Sequence, residues 1–593
     1  MSIMKKILIP IVLCLAGLFA SSCSEELLEI PQKGVVSIDS FYQTDEDALS
    51  ARTAMYDGFE RNMCTVGPVL GQKIYTPYMF ALNLPGDDVY AACKEYGNND
   101  FEAELTEFRY DPSNYIISSL YSVCYQAIYY CNLITDHFAY GESAIKDKVI
   151  SEARVLRAFL HMTLAIYWGT PPLVDHVLLG SDKPGNFEGG QKALLEWCAK
   201  ECEEAAAYLD ERKSINDKNG SFYATKGLAW TVQGKSLIFA GEYQGAKTAL
   251  KKVIDSGKYA LVPGERWSEN FHVEGDGNEE KVFEANVAFN PNVSSFTIMY
   301  SYSTWQQMSM WCWRGDRFAR VPREVGAAKN GWGGLGVNVD FAKEFIENDG
   351  DSPRRKGTML SYDEVLYELN YTQDVDADSC TYPDGTVGPK TRDPQRGVND
   401  LRGVYGNGEY LQYKRIVSPK DVEGHSSYSE ANYIFFRYAE VLLMYAECCA
   451  RVGDTDGSGL KALNDIQIRA GGKAPVTALT LENVKREKKF ELWTEGCRFA
   501  DCLRWGDLEG MKKAGSDMPT LLDSFFYAEN PTPEHHAVVN MHNFNDDPMY
   551  GNGKEHGFKP GKHELFPFPD LETSINPNII QNPGWGSTST SAE

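Results

Sequence analysis

Three tryptophans fall within nine positions, Trp305, Trp311 and Trp313, in a stretch that also carries Tyr302, Gln306, Gln307, Arg314 and Asp316. No helical or strand period runs through it, and so many large rings in one irregular segment are hard to bury together. A second segment has the same character on a smaller scale, with Gly86-Asp87-Asp88-Val89-Tyr90 leading to Tyr96-Gly97-Asn98-Asn99-Asp100. Exposed aromatic faces bordered by amides, carboxylates and a guanidinium suit a ligand with an apolar face and a rim of hydroxyls, such as a sugar ring. The ring stacks, and the edge groups hydrogen-bond. The candidate ligand-binding residues are therefore Tyr96, Asn98, Asn99, Tyr302, Trp305, Gln306, Trp311, Trp313 and Arg314. Trp332, set between glycines, is read as structural.

Bond-breaking chemistry has no comparable signature. Glycoside hydrolysis needs two carboxylates at a defined separation, and among 83 acidic residues no motif singles out a pair. A nucleophile elbow, a phosphate-binding Walker loop and a dinucleotide fingerprint are all missing. His535, His536, His542, His556 and His563 lack metal-ligand spacing and are read as surface residues of a C-terminal loop. Asp374, Asp376 and Asp378 form a DxDxD run that could hold calcium. The glycine and glutamate of an EF-hand loop are missing, with Gly385 where the glutamate would stand. No catalytic residue, no cofactor and no metal is assigned, calcium at that run being the one cation the residues leave open.

The N-terminus carries the sharpest local signal. Lys5 and Lys6 precede an apolar run from Ile7 to Ala20, too short to span a bilayer comfortably, and small residues lead directly to Cys23. This is the pattern of a secretory signal cut before a cysteine that is then acylated. Residues 1–22 are read as signal peptide and 23–40 as lipid anchor and linker, with Cys23 lipidated. Each acyl methylene contributes about 0.8 kcal/mol, so two or three chains hold such a protein on a membrane. Of 14 cysteines, the remainder are scattered without a CxxC pair and often lie in apolar helical stretches, where they act as small hydrophobes. A disulfide or two is compatible with an exported chain. The formal charge of −25 repels phosphate backbones and excludes nucleic acid as a natural ligand.

These segments need a scaffold. A chain of 593 residues that is 43% hydrophobic can bury a large core. The 3.6-residue period runs through 44–61, 112–138, 143–168, 188–210 and 222–257, the last broken at Gly241. Thr44 before Asp45-Glu46-Asp47 is a helix start. Ala246, Leu250, Val253 and Ile254 after the Gly241 break resemble the second helix of a tetratricopeptide pair. A similar pair is read at 431–470 across Gly453-Asp454. Residues 65–110, 260–340 and 370–430, rich in Gly, Pro, Asn and Asp, are read as long loops with short strands.

Four further segments carry a family resemblance. They are Glu152-Ala153-Arg154-Val155-Leu156-Arg157-Ala158-Phe159 running on to Tyr167-Trp168-Gly169; Arg437-Tyr438-Ala439-Glu440 to Tyr445-Ala446-Glu447; Arg486-Glu487 to Glu495-Gly496-Cys497-Arg498 and Arg504-Trp505-Gly506; and Leu565-Phe566-Pro567-Phe568-Pro569 with Asn576-Pro577 and Gln581-Asn582-Pro583-Gly584-Trp585. In this order behind Cys23-Ser24-Glu25-Glu26 they resemble the SusD/RagB family of nutrient-binding outer-membrane lipoproteins of Bacteroidetes. Thr170-Pro171 departs from the family's usual Gly-Val. The resemblance implies a mainly α, SusD-like fold, with tetratricopeptide-like helix pairs as scaffold and a loop-rich face with short strands. It implies one such domain over 41–593, divided into an N-terminal helical part (41–260), a loop-rich ligand-binding part (261–430) and a C-terminal helical pair with a strap (431–593).

By function it implies a surface-exposed, non-enzymatic glycan-binding protein, anchored in the outer membrane. Such a protein captures oligosaccharide and delivers it to a SusC-like TonB-dependent barrel, with ligand aromatics drawn from the two segments described first. Peptide binding within the same family, a surface glycoside hydrolase and a protein-binding scaffold are the alternatives. The motif charges themselves, Arg154, Arg157, Arg437 and Arg498 against Glu152, Glu440, Glu447 and Glu495, are expected to pair and fix how helices dock.

Overall fold

The computed structural model describes residues 41–64, 77–91, 100–286, 334–361, 410–422, 430–514 and 556–586, with Glu364 and the short strands at 68–69, 72–73, 379–381, 387–389, 517–521 and 539–543. The helices are α1 (Asp45–Cys64), α2 (Pro77–Asn83), α3 (Asp100–Glu107), α4 (Tyr115–His137), α5 (Ala144–Trp168), α6 (Gly190–Ala205), α7 (Lys226–Phe239), α8 (Tyr243–Asp255), α9 (Val339–Asp349), α10 (Pro353–Thr358), α11 (Tyr438–Val452), α12 (Ser458–Ala470), α13 (Leu481–Glu491), α14 (Arg498–Trp505), α15 (Glu509–Lys512) and α16 (Asp570–Ile575).

Local chemistry sets their boundaries. Thr44 and Asp47 form a reciprocal cap on α1. The Asp47 N–H donates to Thr44 Oγ1 (3.1 Å), and the Thr44 N–H to Asp47 Oδ2 (2.8 Å). The Asn114 side chain caps α4, accepting from Ile116 and Ile117 N–H. Gly241 (φ 79°) and Gly453 (φ 69°) take the left-handed turns that end α7 and α11.

α5 is apolar nearly all round and sits at the centre of the helical layer, from Val149 to Trp168 almost wholly buried. Consecutive packing of α4, α5, α6, α7 and α8, then α8 on α11 and α11 on α12, builds the tetratricopeptide-like stack. In the α7–α8 pair, Gly234 lets Leu250 come so close that a Cβ there would lie 2.6 Å from Leu250 Cγ, and Ala246 is wholly buried.

Among the described residues, twelve strands form six antiparallel pairs: β1 (Pro68–Val69) with β2 (Gln72–Lys73), β3 (Val89–Ala91) with β5 (Leu335–Val337), β4 (Lys281–Ala285) with β10 (Tyr433–Arg437), β6 (Met359–Ser361) with β9 (Tyr410–Gln412), β7 (Ser379–Thr381) with β8 (Val387–Pro389), and β11 (Asp517–Leu521) with β12 (Val539–Asn543). The fold is thus mainly helical with short strands, as the resemblance implies.

Four expectations change. The second helix pair begins at Tyr438, because Tyr433–Arg437 form a fully buried strand on β4. Residues 65–110 contain the helices α2 and α3, and α9 begins at Val339, within the stretch 260–340. His563 is buried, not superficial: its Nδ1 accepts the Lys559 N–H (2.8 Å) and its ring lies among Tyr110, Phe558 and Trp585. The side chain of His556 is buried beside Glu107. His542 lies on β12, and His535 and His536 lie outside the described residues.

The C-terminal residues do strap across the scaffold. Prolines 567 and 569 block helix formation, and the chain crosses the end of α5. There the Phe566 N–H donates to Tyr167 O (2.7 Å), Trp168 Nε1 to Pro567 O (2.8 Å), and Asn582 Nδ2 to the carbonyls of Trp168 (3.1 Å) and Phe566 (2.7 Å). Among the described residues the main hydrophobic core runs from Ala48 to Trp585 and includes the buried free thiols of Cys64, Cys124, Cys131, Cys198, Cys202, Cys448, Cys449, Cys497 and Cys502, with a small separate cluster of Trp267, Phe271 and Ile434. No helix among the described residues is long and apolar enough to cross a membrane.

Candidate functional site

All nine sequence-predicted ligand residues, Tyr96, Asn98, Asn99, Tyr302, Trp305, Gln306, Trp311, Trp313 and Arg314, lie outside the described residues, as do Cys23, Trp332, Asp374, Asp376 and Asp378. What is described is the framework from which those segments spring. In the β3–β5 pair, Val89 faces Val337, Tyr90 faces Gly336 and Ala91 faces Leu335. The chain leaves Ala91 directly into 92–99, and it re-enters β5 directly from 287–333. The two aromatic, amide-rich segments, nearly 190 positions apart in sequence, thus share one root.

The neighbouring pairs act alike. Ala285, where the chain departs toward 287–333, faces Tyr433, and Ser361 faces Tyr410 across the stretch 362–409. β5 packs beside β9.

The root is fixed from below. Asp88 O accepts from the indole Nε1–H of Trp493 and from the Asn338 N–H, both at 3.2 Å. Asn338 then caps α9, its Oδ1 accepting from Asp340 and Phe341 N–H, and the Phe341 ring stacks on Trp493 (5.3 Å, 16°). On the other edge, the Ala91 N–H donates to Thr106 Oγ1 of α3 (3.1 Å). Asp87 is held bidentately by Arg498 (2.6 and 2.8 Å). Asp88 is buried beside it, and burial together with the Asp87 charge pushes its carboxyl up to about 7. Asp87, Asp88 and Tyr90, which the sequence groups with the ligand segment, are therefore supports and not platforms.

Behind β10 lies a buried charge network. Arg437 donates to Glu280 (2.6 Å), to Glu495 (both contacts 2.7 Å), to Glu491 and to the Glu491 carbonyl. Arg469 bridges Glu280 and Glu491. Arg354 joins Asp349, Glu487 and Glu491, and Lys414 donates to Glu495 and to Trp493 O (2.7 Å). Four cations thereby meet five carboxylates with almost no water. Burial alone would raise Glu491, but Arg469, Arg437 and Arg354 outweigh it and hold the carboxyl well below its usual range. Burial likewise opposes the shift of Glu495, which Arg437 and Lys414 bring down to about 2.

The remaining motif charges pair as well. Arg157 binds Asn132, Thr135, Asp175 O and Glu201; Arg52 binds Glu152; Lys235 binds Glu440; Arg504 and the Trp505 indole bind Glu447. Carboxylates so completely engaged are docking elements. Among the described residues no group of three or more His, Cys, Asp or Glu side chains is arranged to hold a metal ion.

The sequence reading missed the supporting residues Gly336, Asn338, Thr106 and Trp493. Only the Asn338-Val339-Asp340 cap carried a local signal, and it was hidden in a stretch read as loop.

The profile of the SusD family matches residues 220–585. The chain belongs to the SusD family. Among its relatives are the starch-binding protein SusD of Bacteroides thetaiotaomicron, 25% identical over 449 residues, spanning 71% of this chain and 75% of the relative, and the SusD-like protein P38 of Formosa agariphila, 22% identical over 520 residues, spanning 82% and 88%. Solved SusD-like structures share the fold. Surface glycan-binding protein A of Bacteroides thetaiotaomicron in complex with laminarihexaose superposes with a TM-score of 0.65 at 19% identity, covering 91% of this chain and all of that one. A laminarin-binding SusD-like protein gives 0.63 at 21% identity, covering 91% and 99%.

Proposed function

We propose that this SusD-family protein is a cell-surface glycan-binding protein, lipid-anchored through Cys23 on the outer membrane. It captures oligosaccharide and delivers it to a SusC-like TonB-dependent transporter. The observation that carries the reading is the β3–β5 pair, which roots the 92–99 and 287–333 segments side by side. Between them these segments hold Tyr96, Asn98, Asn99, Tyr302, Trp305, Gln306, Trp311, Trp313 and Arg314, the stacking faces and hydrogen-bonding edges that a sugar requires. The relatives named for starch and laminarin support the ligand class. In this reading the protein acts by binding and not by turnover, which the internal pairing of the motif carboxylates supports.

A thermal-shift screen of residues 24–593 against purified oligosaccharides and peptides tests it. Ligand at ~100 times Kd adds roughly 2.7 kcal/mol of stability. A glycan hit abolished by Trp305→Ala, Trp311→Ala or Trp313→Ala supports the site. A hit with peptides alone redirects the ligand class, and release of new reducing ends replaces binding with hydrolysis.

A further inference from the structure

An open groove of about 550 Å³ lies between the chain that follows α8 and the carboxyl end of α12. That is room for several residues of a bound chain. Its walls are apolar: Leu261 and Pro263 come from the first segment, Ile468 from α12, and Pro353 is the first residue of α10. Ile468 is 65% exposed, although Ile466 and Ala470 beside it are buried. Both walls are fixed from beneath. Gly264 meets the end of α12 so closely that a Cβ there would lie 2.5 Å from Arg469 O. The Arg469 guanidinium donates to Glu280 (3.0 Å) and to Glu491, and Glu280 also accepts the Val262 N–H (2.9 Å). The two walls are thus tied to one buried carboxylate.

The charge that the groove presents has one sign. Glu265 is exposed and has no partner among the described residues. Asp465, one turn before Ile468 on the same face of α12, pairs with the exposed Lys461. Gly471 ends α12 in a left-handed turn (φ 73°), and the carbonyls of Ile468 and Ala470 receive no hydrogen bond among the described residues. A helix end adds partial negative charge of its own. Arg469, the one cation in the lining, is already spent on Glu280 and Glu491. Apolar walls, carboxylates on both segments and open carbonyls call for apolar surface, positive charge and N–H donors together. A neutral sugar lacks the charge, and no aromatic ring lines the groove to stack on it.

We propose that this groove is a docking site for an extended segment of another protein in which apolar and basic side chains alternate. Apolar side chains lie against Leu261, Pro263 and Ile468, Lys or Arg reaches toward Glu265 and Asp465, and backbone N–H groups take up the open carbonyls of α12. The site shares no residue with the glycan reading, and either can fail without the other.

Fluorescence anisotropy with residues 24–593 tests it, using labelled hexapeptides as probes: Val-Lys-Val-Lys-Val-Lys, its counterparts with Glu or Ser for Lys, and Ser-Lys-Ser-Lys-Ser-Lys. The Val-Lys probe is expected to bind at least tenfold more tightly than the other three. Glu265→Lys combined with Asp465→Lys brings it down to the level of the Val-Ser probe. Ile468→Ser, at a position already exposed, weakens it at least threefold. Glu188→Lys combined with Glu203→Lys makes the same change of charge at two other exposed positions and leaves the affinity within twofold of the parent. The proposal is overturned if the parent does not bind the Val-Lys probe, or binds the Ser-Lys probe equally well. It is also overturned if the Glu188 and Glu203 variant loses as much affinity as the groove variants, since the chain's overall negative charge then accounts for the binding.

Discussion

The indole N–H of Trp493 donates to the backbone carbonyl of Asp88, 405 positions earlier in the chain, at 3.2 Å. That bond joins the residues following α13 to the strand from which the first candidate ligand segment departs. Because the Trp493 carbonyl also accepts from Lys414, the same residue couples the strand root to the buried charge network.

Trp493→Phe keeps a ring to stack on Phe341 and removes only the donor. A buried carbonyl that loses one of its two donors costs about 1–2 kcal/mol. The expected outcome is a lower midpoint in urea with unchanged slope, and faster amide exchange at Val89, Tyr90 and Ala91 than elsewhere in the sheet pairs. Uniform exchange across the molecule would show that the bond does not act on β3.

Arg437→Met leaves Glu280, Glu491 and Glu495 facing one another with Arg469, Arg354 and Lys414 still paired to them. Breaking one side of a buried pair costs about 3–5 kcal/mol. Urea unfolding should reveal a loss of that size. A loss below about 1 kcal/mol would mean that the carboxylates relax by taking up protons.

Stability should depend on pH through two opposing contributions whose windows overlap between about 4 and 6.5. Burial lowers His161 to about 4 and His563 to about 3, so both stay neutral in the fold. The unfolded chain protonates them below about 6.5. Their contribution is therefore complete above 6.5 and is lost as pH falls toward 4. Asp276 behaves oppositely. Burial, with the charge of Glu284, raises it to about 8, so stability falls as pH climbs from the unfolded carboxyl value near 4 through 8. Melting curves between pH 4 and 9 check both limbs. His563→Asn, which keeps an acceptor for the Lys559 N–H, should lose less between 6.5 and 4 than the parent, and Asp276→Asn should lose less between 6.5 and 8.

Asn582 is buried and its amide serves the carbonyls of Trp168 and Phe566 together. Asn582→Ala takes a donor from both carbonyls and leaves the Trp168 oxygen with the Thr170 N–H, at roughly 1–3 kcal/mol. Limited proteolysis should then cut within 565–585 before it cuts the helical layer. Simultaneous cleavage of both would contradict a strap that is seated locally.

Legibility followed the range of the physics. α5 could be read because Val155, Ala158, Phe159, Met162 and Ile166 repeat at helical spacing within one segment, and the α7–α8 turn because Gly241 interrupts such a repeat. Tyr433–Arg437 could not, because a short run of four large apolar residues before Arg437 has no period to separate strand from helix and only its partner β4 decides. α2 and α3, at seven and eight residues, are too short for their pattern to outweigh the Gly and Asn around them. The types of the motif charges were legible and their partners were not: Arg437 finds Glu280 157 positions away. For the site, the aromatic and amide content of two segments stood out by composition. Their common root depended on the Ala91–Leu335 register, which no local pattern encodes.

The strap over α5 also bears on the order of assembly. Trp168 receives partners from residues 567 and 582, about 400 positions later. A chain made amino end first cannot give that indole its acceptor until residue 567 has emerged, so this end of the core closes late in synthesis. A product truncated before residue 565 leaves the apolar end of α5 uncovered, a mark by which a protease can tell unfinished chains from finished ones.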